Sequence, residues 1–144
     1  MSDINITIEE RAGRRCASSG SKWEPIMGYS RAVRSGNHIA VTGSVGVNAD
    51  GTYARTVGEQ TARSLAIIQA AIEALGGALG HVIRTRMYVT DVSKWEEVAR
   101  VHGSVFQDIR PATTIVEVAR LIDADALIEI EADAVLPEAP VNLS

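Results

Sequence analysis

A second cysteine is missing from this chain. Cys16 stands alone, so no intramolecular disulfide can form and a cysteine-based metal site has no ligand set; the thiol reads as a bland one. Also lacking is any apolar run approaching the ~20 residues that a membrane-spanning helix needs. The first residues include Asp3, Glu9 and Glu10, where a secretory leader carries positive charge followed by an apolar stretch. A cytoplasmic protein with no membrane partner is expected. Clustered cations are scarce as well: 14 Lys and Arg stand against 18 Asp and Glu, for a net charge of −4. Binding a polyanion needs a basic surface that releases counterions. Arg14-Arg15 is too short to supply one, so no nucleic-acid partner is expected.

What is present is an ordinary globular composition, 46% hydrophobic and 22% charged, which excludes disordered, collagen-like and coiled-coil chains. A length of 144 residues supports one substantial core and not two. No repeat, low-complexity tract or linker interrupts it, so residues 1–144 are read as a single domain.

Hydrophobic periodicity sets the element order. Residues 4–8 alternate like a strand, whereas 13–22 are rich in Gly and Ser and read as a loop. Short strands over 29–34 and 39–42 flank a turn at Ser35-Gly36-Asn37-His38, and a second turn falls at Asn48-Ala49-Asp50-Gly51. Leu65, Ile68, Ile72 and Leu75 recur at helical spacing over 57–75, ended by Gly76-Gly77. Over 83–90, Ile83, Thr85, Met87 and Val89 share one face of a strand, and Arg84, Arg86 and Tyr88 share the other.

Ser93-Lys94-Trp95-Glu96 fits a capping box that starts a second helix. Trp95, Val98, Val105 and Phe106 form its apolar stripe with His102 among them, and Arg110-Pro111 ends it. Strands over 113–119 and 127–135 close the chain, and Pro137-Glu138-Ala139-Pro140 reads as a frayed tail. Strands, helix, strand, helix, strands predict an α+β fold: one mixed sheet with two helices on one face.

The last strand is the most informative. Ile128, Ile130, Ala132 and Ala134 point one way, and Glu129, Glu131 and Asp133 the other. Same-face carboxylates repel, so they need water or a cation. Arg84 and Arg86 on another strand, with Glu117 on a mostly apolar one, make that face better suited to self-association than to solvent. A regular strand spaces such acids too widely to enclose a metal ion unaided.

Several words stand in a specific order: Gly28-Tyr29-Ser30-Arg31-Ala32-Val33, Gly36-Asn37, Val41-Thr42-Gly43, Arg110-Pro111-Ala112-Thr113, Val116-Glu117-Val118-Ala119-Arg120-Leu121 and Ile128-Glu129-Ile130-Glu131-Ala132. Together they resemble the Rid (reactive intermediate deaminase, or YjgF-like) family. The similarity runs over about residues 28–135, with 1–27 as an N-terminal extension and loop and 136–144 as a tail. The resemblance implies a chorismate-mutase-like fold, a homotrimer with its helices outside, and small-molecule clefts between subunits. It further implies hydrolysis of enamines and imines such as 2-aminoacrylate, without a metal or organic cofactor.

Carried onto this sequence, the resemblance makes Tyr29 the ring-bearing cleft residue, Thr42 and Gly43 the small residues at a strand end, and Glu129 the group that handles water. The family's carboxylate-clamping Arg after Pro-Ala is here Thr113, followed by Thr114 and an apolar Ile115. A threonine cannot make the paired hydrogen bonds of a guanidinium with a carboxylate. The chain therefore resembles an Arg-less subgroup, with Arg110, Arg120, Arg31 and Arg86 as candidate replacement cations.

Each residue has a plainer role beside the functional one. Tyr29 could be a packed ring, and Glu129 an interface ion-pair partner rather than an acid/base. Trp23, ahead of the Tyr29 word, serves either as a cleft wall or in N-terminal packing. His102 on an apolar stripe reads as a satisfied core histidine, and His38 and His81 as turn residues. Gly76-Gly77-Ala78-Leu79-Gly80 lacks the ending of a phosphate loop. The functional expectation is a hydrolase acting on an enamine, imine or related compound other than 2-aminoacrylate. The alternative is a non-catalytic trimer binding a metabolite or a protein.

Overall fold

The computed structural model describes residues 3–138. Residues 139–144 of the expected tail, Ala139 and Pro140 among them, lie outside the described residues. Seven strands, β1 Thr7–Arg11, β2 Arg14–Ser18, β3 Ala32–Ser35, β4 His38–Val45, β5 Val82–Val89, β6 Ala112–Glu117 and β7 Ile128–Val135, form one sheet. Three helices accompany it: α1 Trp23–Met27, α2 Val57–Ala74 and α3 Trp95–Phe106. The strand order is β1-β2-β3-β4-β7-β5-β6, with β5 and β6 parallel and the other pairs antiparallel. The expected α+β class and mixed sheet are observed.

The alternation in β7 does what its sequence requires. Ile128, Ile130, Ala132 and Ala134 are buried against Leu65, Ile68 and Ile72 of α2; truncating a fully buried isoleucine such as Ile130 to alanine costs about 2–5 kcal/mol. Helix α2 begins where Thr56 accepts from the Glu59 amide at 3.2 Å, and it stops at Gly76, whose φ of +88° suits glycine. Arg34 donates to Leu75 O at 2.7 Å, placing a cation at the carboxyl end of the helix. Buried Gln60 donates to Ala54 O and Asp125 O and accepts from Leu127 N, fastening the entry to β7.

Several local expectations are corrected. Residues 14–18 are a strand, because Ala12 and Gly13 both take positive φ, 52° and 75°, and turn β1 back onto β2. The Trp23 segment is helical, with Glu24 accepting from the Ser19 amide and hydroxyl and the Ser21 amide. Tyr29 precedes its strand, which begins at Ala32.

Further along, a β-bulge between Val82 and Arg84 sends Val82 into the core and leaves Ile83 51% exposed. Ser93 does not cap α3: Asp91 accepts from the Ser93 amide and hydroxyl, a 3-10 turn follows at Val92–Lys94, and Trp95 is half exposed. Leu136, expected in the tail, is a core residue whose amide donates to Asn37 O at 2.7 Å.

The acidic row also finds its cation inside the chain. Arg86 Nη1 lies 3.4 Å from Glu131 and 3.5 Å from Asp133, and Tyr88 donates to Glu131 at 2.8 Å. Adjacent pairing of β5 with β7 brings these groups together. Neutralisation therefore does not require a second subunit. Glu117 likewise accepts from the nearby Val92 amide at 3.1 Å.

Candidate functional site

The bulge in β4 builds the site. Val41 pairs with Ala132 and Ser44 with Ile130, so β4 holds one residue more than β7 between these pairs, and Thr42-Gly43 falls in the extra length. Thr42 donates to Ser30 O at 2.6 Å and its amide to Arg31 O at 2.9 Å, fixing the segment that carries Tyr29. Gly43 leaves room for the Glu129 carboxyl: a β carbon there would stand 2.9 Å from Glu129 Cδ. The Glu129 carboxyl thus lies directly on the Gly43 backbone.

A cavity of about 820 Å³ opens over this surface, with Trp23, Tyr29, Arg31, Thr42, Gly43 and Glu129 in its wall. Burial pushes the Glu129 carboxyl above its ordinary value; the positive charge of Arg31 opposes this and Glu131 adds to it. Tyr53 donates to Asp123 at 3.1 Å on the same wall, and burial and that carboxylate drive its phenol up strongly. Trp23 lies under the Lys22 ammonium, 5.0 Å from the ring centre. Among the described residues no cluster of His, Cys, Asp and Glu could hold a metal ion, and no helix is long and apolar enough to cross a membrane.

Five expected site residues therefore meet: Trp23, Tyr29, Thr42, Gly43 and Glu129. Thr113, Thr114 and Ile115 do not join them. They lie on β6, the outer strand beyond β5. Thr113 is drawn to the helix side of the sheet, where its Oγ1 lies 2.8 Å from Thr85 Oγ1, which lies 2.9 Å from His102 Nε2. Thr113 also donates to Pro111 O at 3.2 Å, which orders the chain: His102 donates to Thr85, and Thr85 to Thr113. His102 is a satisfied histidine whose ring stands 4.7 Å from that of Phe106, and burial lowers its pKa.

The candidate replacement cations separate cleanly. Arg86 is held by Glu131 and Asp133. Arg110 donates to Gln107 O at 3.0 Å, at a backbone φ of +53°, and Arg120 is exposed. Of the four, only Arg31 reaches the cavity wall. Ser19, Ser44 and Tyr53, which sequence reasoning did not select, line it too. A hydroxyl residue in a Gly- or Ser-rich segment gives no signal of its own, and the bulge at which Ser44 lies is a property of register.

Residues 19–136 match the model of a protein family described as Endoribonuclease L-PSP. The chain belongs to this family, the YjgF/Rid family. Among solved structures, Rv2704 of Mycobacterium tuberculosis, a YjgF/YER057c/UK114 family member, superposes with a TM-score of 0.80 at 45% identity, covering 85% of this chain and 99% of that one. The Streptomyces coelicolor protein SCO2049 is 33% identical over 121 residues, 83% of this chain and 90% of its own. The 2-iminobutanoate/2-iminopropanoate deaminase of Escherichia coli K12 is 35% identical over 111 residues, 74% of this chain and 86% of its own.

Proposed function

We propose that this Rid-family chain is one domain that assembles as a cytoplasmic homotrimer and binds a small metabolite in clefts between subunits. There it hydrolyses an enamine, imine or related compound other than 2-aminoacrylate. The observation that carries this reading is the Glu129 carboxyl, half buried on Gly43 in a cavity shared with Tyr29 and Thr42, its pKa raised by burial. Such a carboxylate takes a proton from water near neutral pH more readily than an exposed one. The water oxygen then bonds to the imine carbon, and the electron pair of the C=N bond moves to nitrogen, which gains a proton. Collapse of the carbinolamine expels ammonia and leaves a carbonyl. The balance needs only water and protons, so the reaction calls for no metal or organic cofactor.

Assembly is supported by the separation of the site residues. Thr113 turns to the helix side of the sheet at its far edge, and Glu129 to the other side. One chain cannot present both to a single ligand, but two copies meeting at an edge can. Strand β6 leaves five of its six residues exposed, and a bare edge of that kind invites pairing. Substrate choice follows from Thr113, which offers a hydroxyl already engaged by Thr85 and Pro111 in place of a clamping cation. The same observation favours a second reading, a trimer that binds a metabolite or protein without catalysis. The net charge of −4 favours a small molecule over RNA.

Two measurements test the proposal. Analytical ultracentrifugation should give a species near three times 15.4 kDa, and a monomer would remove the shared cleft. Ammonia release across a panel of enzymatically generated enamines and imines should find a substrate whose turnover Glu129→Ala abolishes. A trimer without turnover on any of them leaves the binding reading.

A further inference from the structure

Arg31 is only 6% exposed, yet every hydrogen-bond partner it has is neutral. Its Nη1 donates to Gly43 O at 3.0 Å and Ser44 Oγ at 3.2 Å, and its Nε to Ser19 Oγ at 3.1 Å. Nη2 makes one long contact, 3.4 Å to the Tyr29 hydroxyl, with the guanidinium 5.6 Å from that ring's centre. The ion pairs among the described residues take Arg11, His38, Arg63 and Arg86, and none takes Arg31. A buried cation lacking an anion is costly to hold. A guanidinium has five N–H groups and this one has four acceptors, so Nη2 keeps a hydrogen to give. The Tyr29 hydroxyl accepts from Nη2, which leaves its own proton directed to no described residue.

We propose that Arg31 Nη2 and the Tyr29 hydroxyl form an anion site that takes the carboxylate of an organic acid with an apolar body. This rests on reading the cavity as the ligand site and names the class of ligand it admits. Two adjacent donors suit the two oxygens of a carboxylate, one bond to each. Asp3 and Asp123 on the same wall are engaged by Arg63 and Tyr53. Glu129 on the same wall feels the charge of Arg31 but forms none of the ion pairs found among the described residues. At about 820 Å³, with Trp23, Met27, Val45, Ile67 and Ile122 in its wall, the cavity matches ligands far larger than a three-carbon acid. The position lies on the β3 side of the site, so the ligand's charge is read there rather than at Thr113.

Isothermal titration of the full chain at neutral pH, with 3-phenylpropanoate, its neutral amide, pyruvate and inorganic phosphate, tests this. The acid should bind about tenfold or more tightly than the amide, and more tightly than pyruvate or phosphate, because the charge and the apolar body both contribute. Arg31→Gln should lose about tenfold or more in affinity for the acid while Arg31→Lys keeps part of it. Equal binding of acid and amide, tighter binding of phosphate or pyruvate, no binding of any, or unchanged affinity in a folded Arg31→Gln protein would each overturn the proposal. Should Arg31→Gln fail to fold, the acid and amide comparison on the unaltered protein decides alone. The readout contains no chemistry, so carboxylate binding here together with no ammonia release from any compound of the enamine and imine panel would remove the hydrolase reading and leave this one standing.

Discussion

Gly43 and Glu129 are in direct contact: a β carbon on Gly43 would stand 2.9 Å from Glu129 Cδ and 3.0 Å from Oε2. That contact holds the carboxyl where a ligand in the cavity would meet it. Gly43→Ala must therefore push the carboxyl aside, and because the displaced atoms end a flexible side chain, the fold should yield cheaply. The expected result is a loss of roughly a hundredfold in ammonia release, the scale of a misplacement near 1 Å, with a thermal midpoint close to that of the unaltered protein. Differential scanning fluorimetry beside the ammonia assay checks both halves.

Burial raises the Glu129 carboxyl above 4.5, and the sign of its effect on stability follows. A group held above its unfolded value supports the fold below that value and loses this support as pH rises through its folded value. Glu129→Gln, which cannot ionise, should therefore be more stable than the parent protein at pH 7 to 8. The difference should vanish below about pH 4.5, the ordinary glutamate value. Urea unfolding of both proteins across pH is the measurement. A gain in stability with a loss of turnover marks a site held against its folding preference.

The hydroxyl chain from His102 to Thr113 makes a separate demand. Thr85 is fully buried and joins His102 at 2.9 Å to Thr113 at 2.8 Å. Thr85→Val keeps the shape and leaves a half-buried imidazole without its partner, at a cost of about 1–3 kcal/mol. Burial holds His102 below 6.5, so the fold should lose stability as pH falls from 6.5 through the lower folded value. His102→Gln should flatten that region of the profile, and chemical denaturation between pH 5 and 8 reads it.

How far the sequence discloses this architecture depends on where the physics is local. Alternation in β7 and helical spacing in α2 are properties of single segments, and both elements appear with boundaries close to those read from composition. The β1–β2 turn was not legible, because Ala12 takes the left-handed conformation that Asn would have announced. The bulge at Val82 and Arg84 reversed the side on which Ile83 lies, since register depends on the neighbouring strand.

The site divides in the same way. Tyr29, Thr42, Gly43 and Glu129 could be named from their motif words and do meet, whereas Thr113 was legible as a substitution but not as the end of a chain from His102. Arg86 could be paired with the acidic row by charge alone. That the pairing lies within one chain depends on strand order, which places β5 beside β7. Nothing in the sequence separates Arg31, buried among neutral partners, from the exposed Arg110 and Arg120.

Turnover of 2-aminoacrylate by the unaltered protein, Thr113→Arg and Thr113→Arg/Glu129→Ala tests the central claim most directly. With no cation at position 113, the carboxylate of this three-carbon substrate finds no clamp at that end of the cleft, and the Arg31 and Tyr29 donors lie in a cavity sized for larger acids. Keto-acid release by the unaltered chain should be at least about a hundredfold below that of an Arg-bearing relative, the scale of one charge-assisted contact. Thr113→Arg should raise it, and adding Glu129→Ala should abolish the gain. Turnover by the unaltered protein equal to that of an Arg-bearing relative would contradict the account.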